Sequence, residues 1–186
     1  MRLFIAIELE EGVKGKILHE ISSLRSKGVD VAFTSPENLH ITVKFFGEVA
    51  EQQVEKLKED IRSTLEGVKP FNINLKGAGY FGRPEFMKVI WIGIEEGNGR
   101  EQLIKMIKAL DSSLSYVRKD DHEPHPHITI GRVKTGRNKE LLLHEINSKK
   151  SLEIGGMKVK QLKIKKSELT EKGPIYSDLM TIDLKH

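Results

Sequence analysis

Two short strings recur in this chain at a single offset, and a repeat constrains architecture before any one element is assigned. Phe4-Ile5-Ala6-Ile7-Glu8 is echoed by Trp91-Ile92-Gly93-Ile94-Glu95, and His40-Ile41-Thr42-Val43 by His127-Ile128-Thr129-Ile130, each 87 residues on. With 7 His and 7 Thr among 186 residues, chance supplies only about 0.26 His-x-Thr triplets (7 × 7/186), so a phased pair marks a duplicated unit.

The segments between the echoes agree. Val13, Ile17, Ile21 and Leu24 predict a helix over 11–27, and Leu103, Ile107, Leu110 and Leu114 its counterpart over 99–116. Val54, Leu57, Ile61 and Leu65 predict a helix over 51–66, with a shorter partner at 139–147. Strands are expected at 71–75 and 86–94, flanking a loop Gly79-Tyr80-Phe81-Gly82-Arg83-Pro84. Two more are expected at 157–165 and 176–184, split by the Gly173-Pro174 turn signal. Mixed strands and helices with hairpin links imply an α+β fold: two antiparallel sheets with flanking helices, related by a pseudo-two-fold around a central cleft. No linker separates the halves, so one two-lobed domain over 1–186 is expected. Its repeat halves run about 1–87 and 88–186, with strand exchange between lobes allowed.

Composition narrows the chemistry. There is no cysteine, which removes disulfides, thiolate metal sites and a cysteine nucleophile, and fits a cytoplasmic setting. Glu8 and Glu10 interrupt the opening apolar run too early for a signal peptide, and no run approaches the ~18 residues of a membrane span, so no membrane association is expected. The net charge of +4 permits an anionic partner without demanding one. Lysine supplies 23 of the 31 cations and glutamate 20 of the 27 anions, an enrichment of the thermophile kind.

On a strand, residues i and i+2 share a face. Ile41 and Val43 then enter the core while His40 and Thr42 face the cleft, and Ile128, Ile130, His127 and Thr129 repeat the division. Two imidazoles at one site suit phosphodiester chemistry, one neutral and acting as base, the other protonated and acting as acid. Hydroxyls and a cation can hold the phosphoryl oxygens, and no metal is required. Arg132 is the candidate phosphate clamp, although strict alternation turns it away from His127 unless Gly131 permits a bulge. Lys44 shares the parity of His40 and Thr42 and is the alternative cation. Tyr80, Phe81 and Phe46 are candidates for stacking a base, and His125 is expected at the mouth of the cleft. His122, His125 and His127 invite a metal reading, disfavoured because the first half has no matching cluster. His19, His144 and His186 read as surface residues.

At these residues the chain resembles the two-histidine phosphoesterase superfamily, in its RNA 2′,3′-cyclic phosphodiesterase (2′-5′ RNA ligase) branch. The similarity is carried by the opening Met1 to Ile7 and by the first signature, Ser35 to Val49. Arg83-Pro84 with Val89 to Ile94, and the second signature Pro126 to Val133, extend it. The resemblance implies hydrolysis of a terminal 2′,3′-cyclic phosphate to a 2′-phosphomonoester, with His40 as proton donor and His127 as proton acceptor. It also implies that Thr42, Thr129 and Arg132 hold the phosphate and that neither metal nor nucleotide cofactor takes part. The same site could run backwards as an ATP-independent 2′-5′ ligase. The expected partners are RNA ends bearing the cyclic phosphate, tRNA fragments among them, met by a monomer. A non-catalytic RNA-end or nucleotide-binding module and a 2′-5′ oligonucleotide phosphodiesterase are the competing readings.

Overall fold

The computed structural model describes residues 1–171 and 173–185; His186, read above as a surface residue, lies outside them. The elements run β1 (Arg2–Glu8), α1 (Glu11–Ser26), β2 (Val31–Phe33), β3 (His40–Glu48), α2 (Val54–Leu65), β4 (Phe71–Arg83), β5 (Phe86–Ile94), α3 (Asn98–Ser113), β6 (His127–Val133), α4 (Lys139–Ser148), β7 (Glu153–Val159), β8 (Gln161–Thr170) and β9 (Gly173–Asp183). Each helix follows its apolar stripe: α1 buries Val13, Ile17, Ile21 and Leu24, and α2 buries Val54, Leu57, Ile61 and Leu65. The sheet core that receives them includes Leu3, Ile5, Ile7, Ile41, Ile90, Ile92 and Ile128. Each such side chain is worth roughly 1.5–3 kcal/mol of gross burial energy. No helix among the described residues is long and apolar enough to cross a membrane.

The fold is α+β and duplicated. All the strand pairs are antiparallel, in the order β7-β4-β5-β6-β3-β1-β8-β9, with β2 also pairing β6. From the β3/β6 junction outward the order is palindromic: β3-β1-β8-β9 on one side, β6-β5-β4-β7 on the other. The two expected sheets are therefore leaves of one sheet, in which β3 and β6 are joined, among the described residues, by a single paired position, Ile41 with Ile128. Strands are exchanged as well: β4 of the first half lies among β5, β6 and β7, while β8 and β9 join β1 and β3.

Two expectations need correction. The segment 79–84 is mostly strand, because β4 continues to Arg83 paired with β5 through a register shift between Phe81 and Gly82, with only Pro84 and Glu85 as the turn. Glycine at 79 reflects close approach, since the Trp91 ring lies against it and a Cβ would collide with the indole. The run 157–165 is two strands, broken at Lys160, that serve different leaves. Its buried positions change parity across the break, from Met157 and Val159 to Leu162 and Ile164.

The position of the junction builds the site. Around an antiparallel pair centred on Ile41 and Ile128, His40 lies across from Thr129 and Thr42 across from His127, and all four point away from the core. Beyond it both strands bulge, at corresponding positions. Ile5 and Ala6 pair with Lys44 and Thr42, leaving Val43 extra, and Ile90 and Trp91 pair with Gly131 and Thr129, leaving Ile130 extra. Residues 43 and 130 are themselves 87 apart. Each bulge reverses the side-chain parity that follows it.

Candidate active site

A cleft of about 720 Å³ opens where the leaves meet, and His40, Thr42, His127, Thr129 and Arg132 all line it. The four predicted His and Thr residues are thus brought together as expected. Arg132 joins them because the Ile130 bulge turns it back to the histidine face. Glycine at 131 is needed there, since a Cβ would lie 2.5 Å from Val31 Cγ1 on β2.

The two imidazoles are held alike. His40 Nδ1 lies 2.7 Å from the Asn38 carbonyl oxygen, and His127 Nδ1 lies 2.6 Å from that of His125. A carbonyl only accepts, so each Nδ1 carries the proton and each Nε2 is left for chemistry. His40 Nε2 is 3.0 Å from Thr42 Oγ1, whose hydroxyl can donate to the neutral ring or accept from the charged one. Asn38 and His125 are again 87 apart.

Burial is the main force on both titrations. Desolvation pushes His40 below the ordinary imidazole value, the Asn38 carbonyl opposes this, Lys165 and His127 add to the lowering, and Glu8 pulls upward. Desolvation also lowers His127, the His125 carbonyl opposes it, and His125 and Arg132 reinforce it. The surroundings are therefore unequal although the motifs match. Glu8, cross-strand partner of His40, belongs to an ion square with Lys163, Lys165 and Asp178 in which every edge is 2.6–2.8 Å. Beside His127 the corresponding space is aromatic: Phe81 meets its ring edge-on at 4.8 Å, and Trp91 lies at 6.3 Å. The Trp91 Nε1 is buried without a hydrogen-bond partner among the described residues.

Several proposed contacts lie elsewhere. Lys44 is absent from the cleft: it is 2% exposed on the opposite face, its Nζ 2.5 Å from Asp111 Oδ1 and 3.0 Å from Asp120 Oδ2. The Val43 bulge inverts its parity, and the same inversion buries Phe46 and presents Phe45 to the cleft instead. Tyr80 packs partly on the core and lines a separate hollow with Trp91 and Arg100, so Phe81 is the aromatic neighbour of His127. His125 acts on His127 through its carbonyl, while its ring stacks edge-on with Trp91 at 4.8 Å and lines the flanking hollows. His122, His125 and His127 do not converge, and among the described residues no three His, Asp or Glu are grouped to hold a metal ion. His19 and His144 are exposed, as read.

Reading the sequence missed Phe4, Tyr176, Phe45 and Arg2, all of which line the cleft. Phe4 lies 5.1 Å from the His40 ring and Tyr176 meets it edge-on at 5.6 Å. Phe45 was recoverable, because it stands 87 residues before Arg132. Tyr176 carried no such signal, since β9 reaches the first leaf only through strand exchange.

Comparison with known proteins follows the same lines. Residues 14–168 match the model of the 2′-5′ RNA ligase superfamily. A Methanocaldococcus jannaschii protein named RNA 2′,3′-cyclic phosphodiesterase is 41% identical over 177 residues, covering 95% of this chain and 96% of its own length. A protein of the same name from Methanothermobacter thermautotrophicus is 37% identical over 179 residues, covering 96% of each. Among solved structures, a Thermus thermophilus protein superposes with a TM-score of 0.81 at 23% identity, over 99% of this chain and 98% of that one. Escherichia coli LigT complexed with 3′-AMP gives 0.76 at 22%, over 100% and 98%. At those identities the two structures speak to the fold.

Proposed function

The chain belongs to the 2′-5′ RNA ligase superfamily, and from that membership we propose that its cleft opens a terminal RNA 2′,3′-cyclic phosphate by paired-histidine acid-base catalysis. It is an RNA 2′,3′-cyclic phosphodiesterase. The observation that carries the mechanism is the matched pair of Nδ1-anchored imidazoles, each offering Nε2 to one cleft.

In this reading His127 Nε2 takes a proton from water, whose oxygen attacks phosphorus. The bond from phosphorus to the 3′ oxygen breaks, and His40 Nε2 returns a proton to that oxygen, leaving a 2′-phosphomonoester and a 3′-hydroxyl. Thr42, Thr129 and Arg132 hold the phosphoryl oxygens as charge builds on them. The division of roles follows the family resemblance, since charge lowers both rings: Lys165 and His127 act on His40 more strongly than Glu8 opposes them, and His125 and Arg132 act on His127. With a 5′-hydroxyl in place of water, the same step joins two ends without ATP: His127 takes the hydroxyl proton, the 5′ oxygen bonds to phosphorus, and the 3′ oxygen leaves with the proton from His40, giving a 2′-5′ linkage. Our reading includes a monomer acting in the cytoplasm on RNA fragments such as those of tRNA, consistent with the absence of cysteine.

The direct test is an oligonucleotide ending in a 2′,3′-cyclic phosphate, incubated in excess EDTA without ATP, with the product read by phosphorus NMR. A 2′-phosphate is expected. A 3′-phosphate would overturn the leaving group, and dependence on added divalent metal would overturn the metal-free mechanism.

The pH profile is a second expectation. An acid must hold its proton and a base must have lost it, so a lowered acid pKa moves the alkaline limb towards lower pH. Because both histidines are lowered in the free protein, kcat/KM is expected to peak on the acid side of the ordinary imidazole value of about 6.5. The two limbs belong to the coupled pair. A bound phosphodiester anion raises both groups, so the optimum of kcat should lie at higher pH. An alkaline limb of kcat/KM above about pH 8 would contradict this picture.

A further inference from the structure

Arginine reaches the cleft from two directions, and the proposed reaction uses only one of them. Arg132 comes from β6, after the Ile130 bulge. Arg2 comes from the start of β1 and lines the same cleft. The repeat does not account for the second guanidinium: position 2 corresponds to Val89, and Arg132 corresponds to Phe45.

Arg2 is also held in place. Its guanidinium lies 5.1 Å from the centre of the Phe45 ring, which the Val43 bulge has turned to this face, and Arg118 lies 5.4 Å from the same ring. Glu48, the cross-strand neighbour of Arg2, pairs with the Met1 ammonium instead, at 3.4 Å. Among the described residues Arg2 makes no ion pair with a carboxylate, and Arg118 makes one at 3.7 Å, to Asp120. A guanidinium stacked on an aromatic and left without an anion is a prepared phosphate site. Arg118 also borders the adjoining hollow, which shares Thr42 with the cleft.

We propose that Arg2, seated on Phe45 and assisted by Arg118, binds the internucleotide phosphate immediately upstream of the terminal cyclic phosphate. The inference rests on the function proposed above and specifies its substrate as an RNA strand rather than a free nucleotide. The terminal ribose carries the cyclic phosphate on its 2′ and 3′ oxygens and the internucleotide phosphate on its 5′ oxygen. One nucleoside therefore bridges the two anions, and a cleft of about 720 Å³ has room for it. A mononucleoside 2′,3′-cyclic phosphate lacks the second anion and leaves Arg2 unused.

The test compares kcat/KM for a dinucleotide ending in a cyclic phosphate with that for the matching mononucleoside cyclic phosphate. The native protein is expected to prefer the dinucleotide. In Arg2→Met the ratio of the two values should fall about tenfold or more, the range of one charge-assisted hydrogen bond, while any general loss cancels from the ratio. The slope of log kcat/KM against log salt for the dinucleotide should flatten by about 0.7. Arg2→Lys, which keeps the charge, should preserve most of that slope, and Arg118→Met should reduce the ratio in the same sense as Arg2→Met. Equal turnover of the two substrates by the native protein, or an unchanged ratio in Arg2→Met, would overturn the second phosphate site while leaving the hydrolase standing. Failure of the native protein to open either substrate would overturn the hydrolase and this site together.

Discussion

Replacing either His40 or His127 with alanine should lower kcat/KM for the cyclic phosphate by about 10²–10⁴-fold, the range that positioned acid and base groups contribute. The two variants should differ in pH dependence. Without the acid the alkaline limb disappears, and without the base the acidic limb does. The double variant should be little worse than the poorer single one, because the two groups act in one concerted proton exchange. Folding should survive, since both rings face the cleft and neither belongs to the apolar core. Near-native turnover by either alanine variant, with an unchanged melting curve, would exclude the paired mechanism.

Lys44→Met should be the most damaging of these substitutions for stability. It strands Asp111 on α3 and Asp120 in the segment before β6, two carboxylates held by one buried ammonium. Breaking a buried ion pair costs about 3–5 kcal/mol, and Asp120 is 40% exposed, which brings the expectation down to about 2–3 kcal/mol. In a chain of this size that lowers Tm by roughly 5–10 °C. Lys44→Met combined with Asp111→Asn and Asp120→Asn should recover a large part of the loss, because no charge is then left unpaired. A Lys44→Met single variant as stable as the native chain would show the cluster to be idle. The cluster also has an acid limit. Burial pushes the Asp111 carboxyl up, but the Lys44 hydrogen bond, the Asp120 backbone N–H and nearby lysine charge outweigh it and hold the group below its ordinary value. Its contribution is therefore complete above about pH 4 and fades as pH falls through the lowered native value.

What could be read from residues alone followed from how far a simple period survives. The apolar stripes of α1, α2 and α3 run unbroken, so those helices were legible almost to their ends. His40, Thr42, His127 and Thr129 precede the bulges and were placed on the correct face. Past the bulges a period of two misleads: it brought Lys44 into the cleft and concealed Phe45. Gly131 hinted at the irregularity on one strand, and projecting it back by 87 residues onto Lys44 would have revealed the other. The Glu8, Lys163, Lys165 and Asp178 square was beyond reach, because it depends on β8 and β9 lying beside β1. Strand partners so distant in sequence leave no local trace.

That distance has a consequence during synthesis. β1 and β3 emerge from the ribosome well before residues 161–183, which complete their leaf, so one edge of β1 stays unpaired while most of the chain is made. The other leaf can assemble first, since β4 to β7 are nearly contiguous. An open edge bordered by Leu3, Ile5 and Ile7 is a hazard for pairing between nascent chains. Cutting the chain at the boundary of its two repeats would leave each fragment without strands the other holds, so the duplicated halves have become obligate partners in folding.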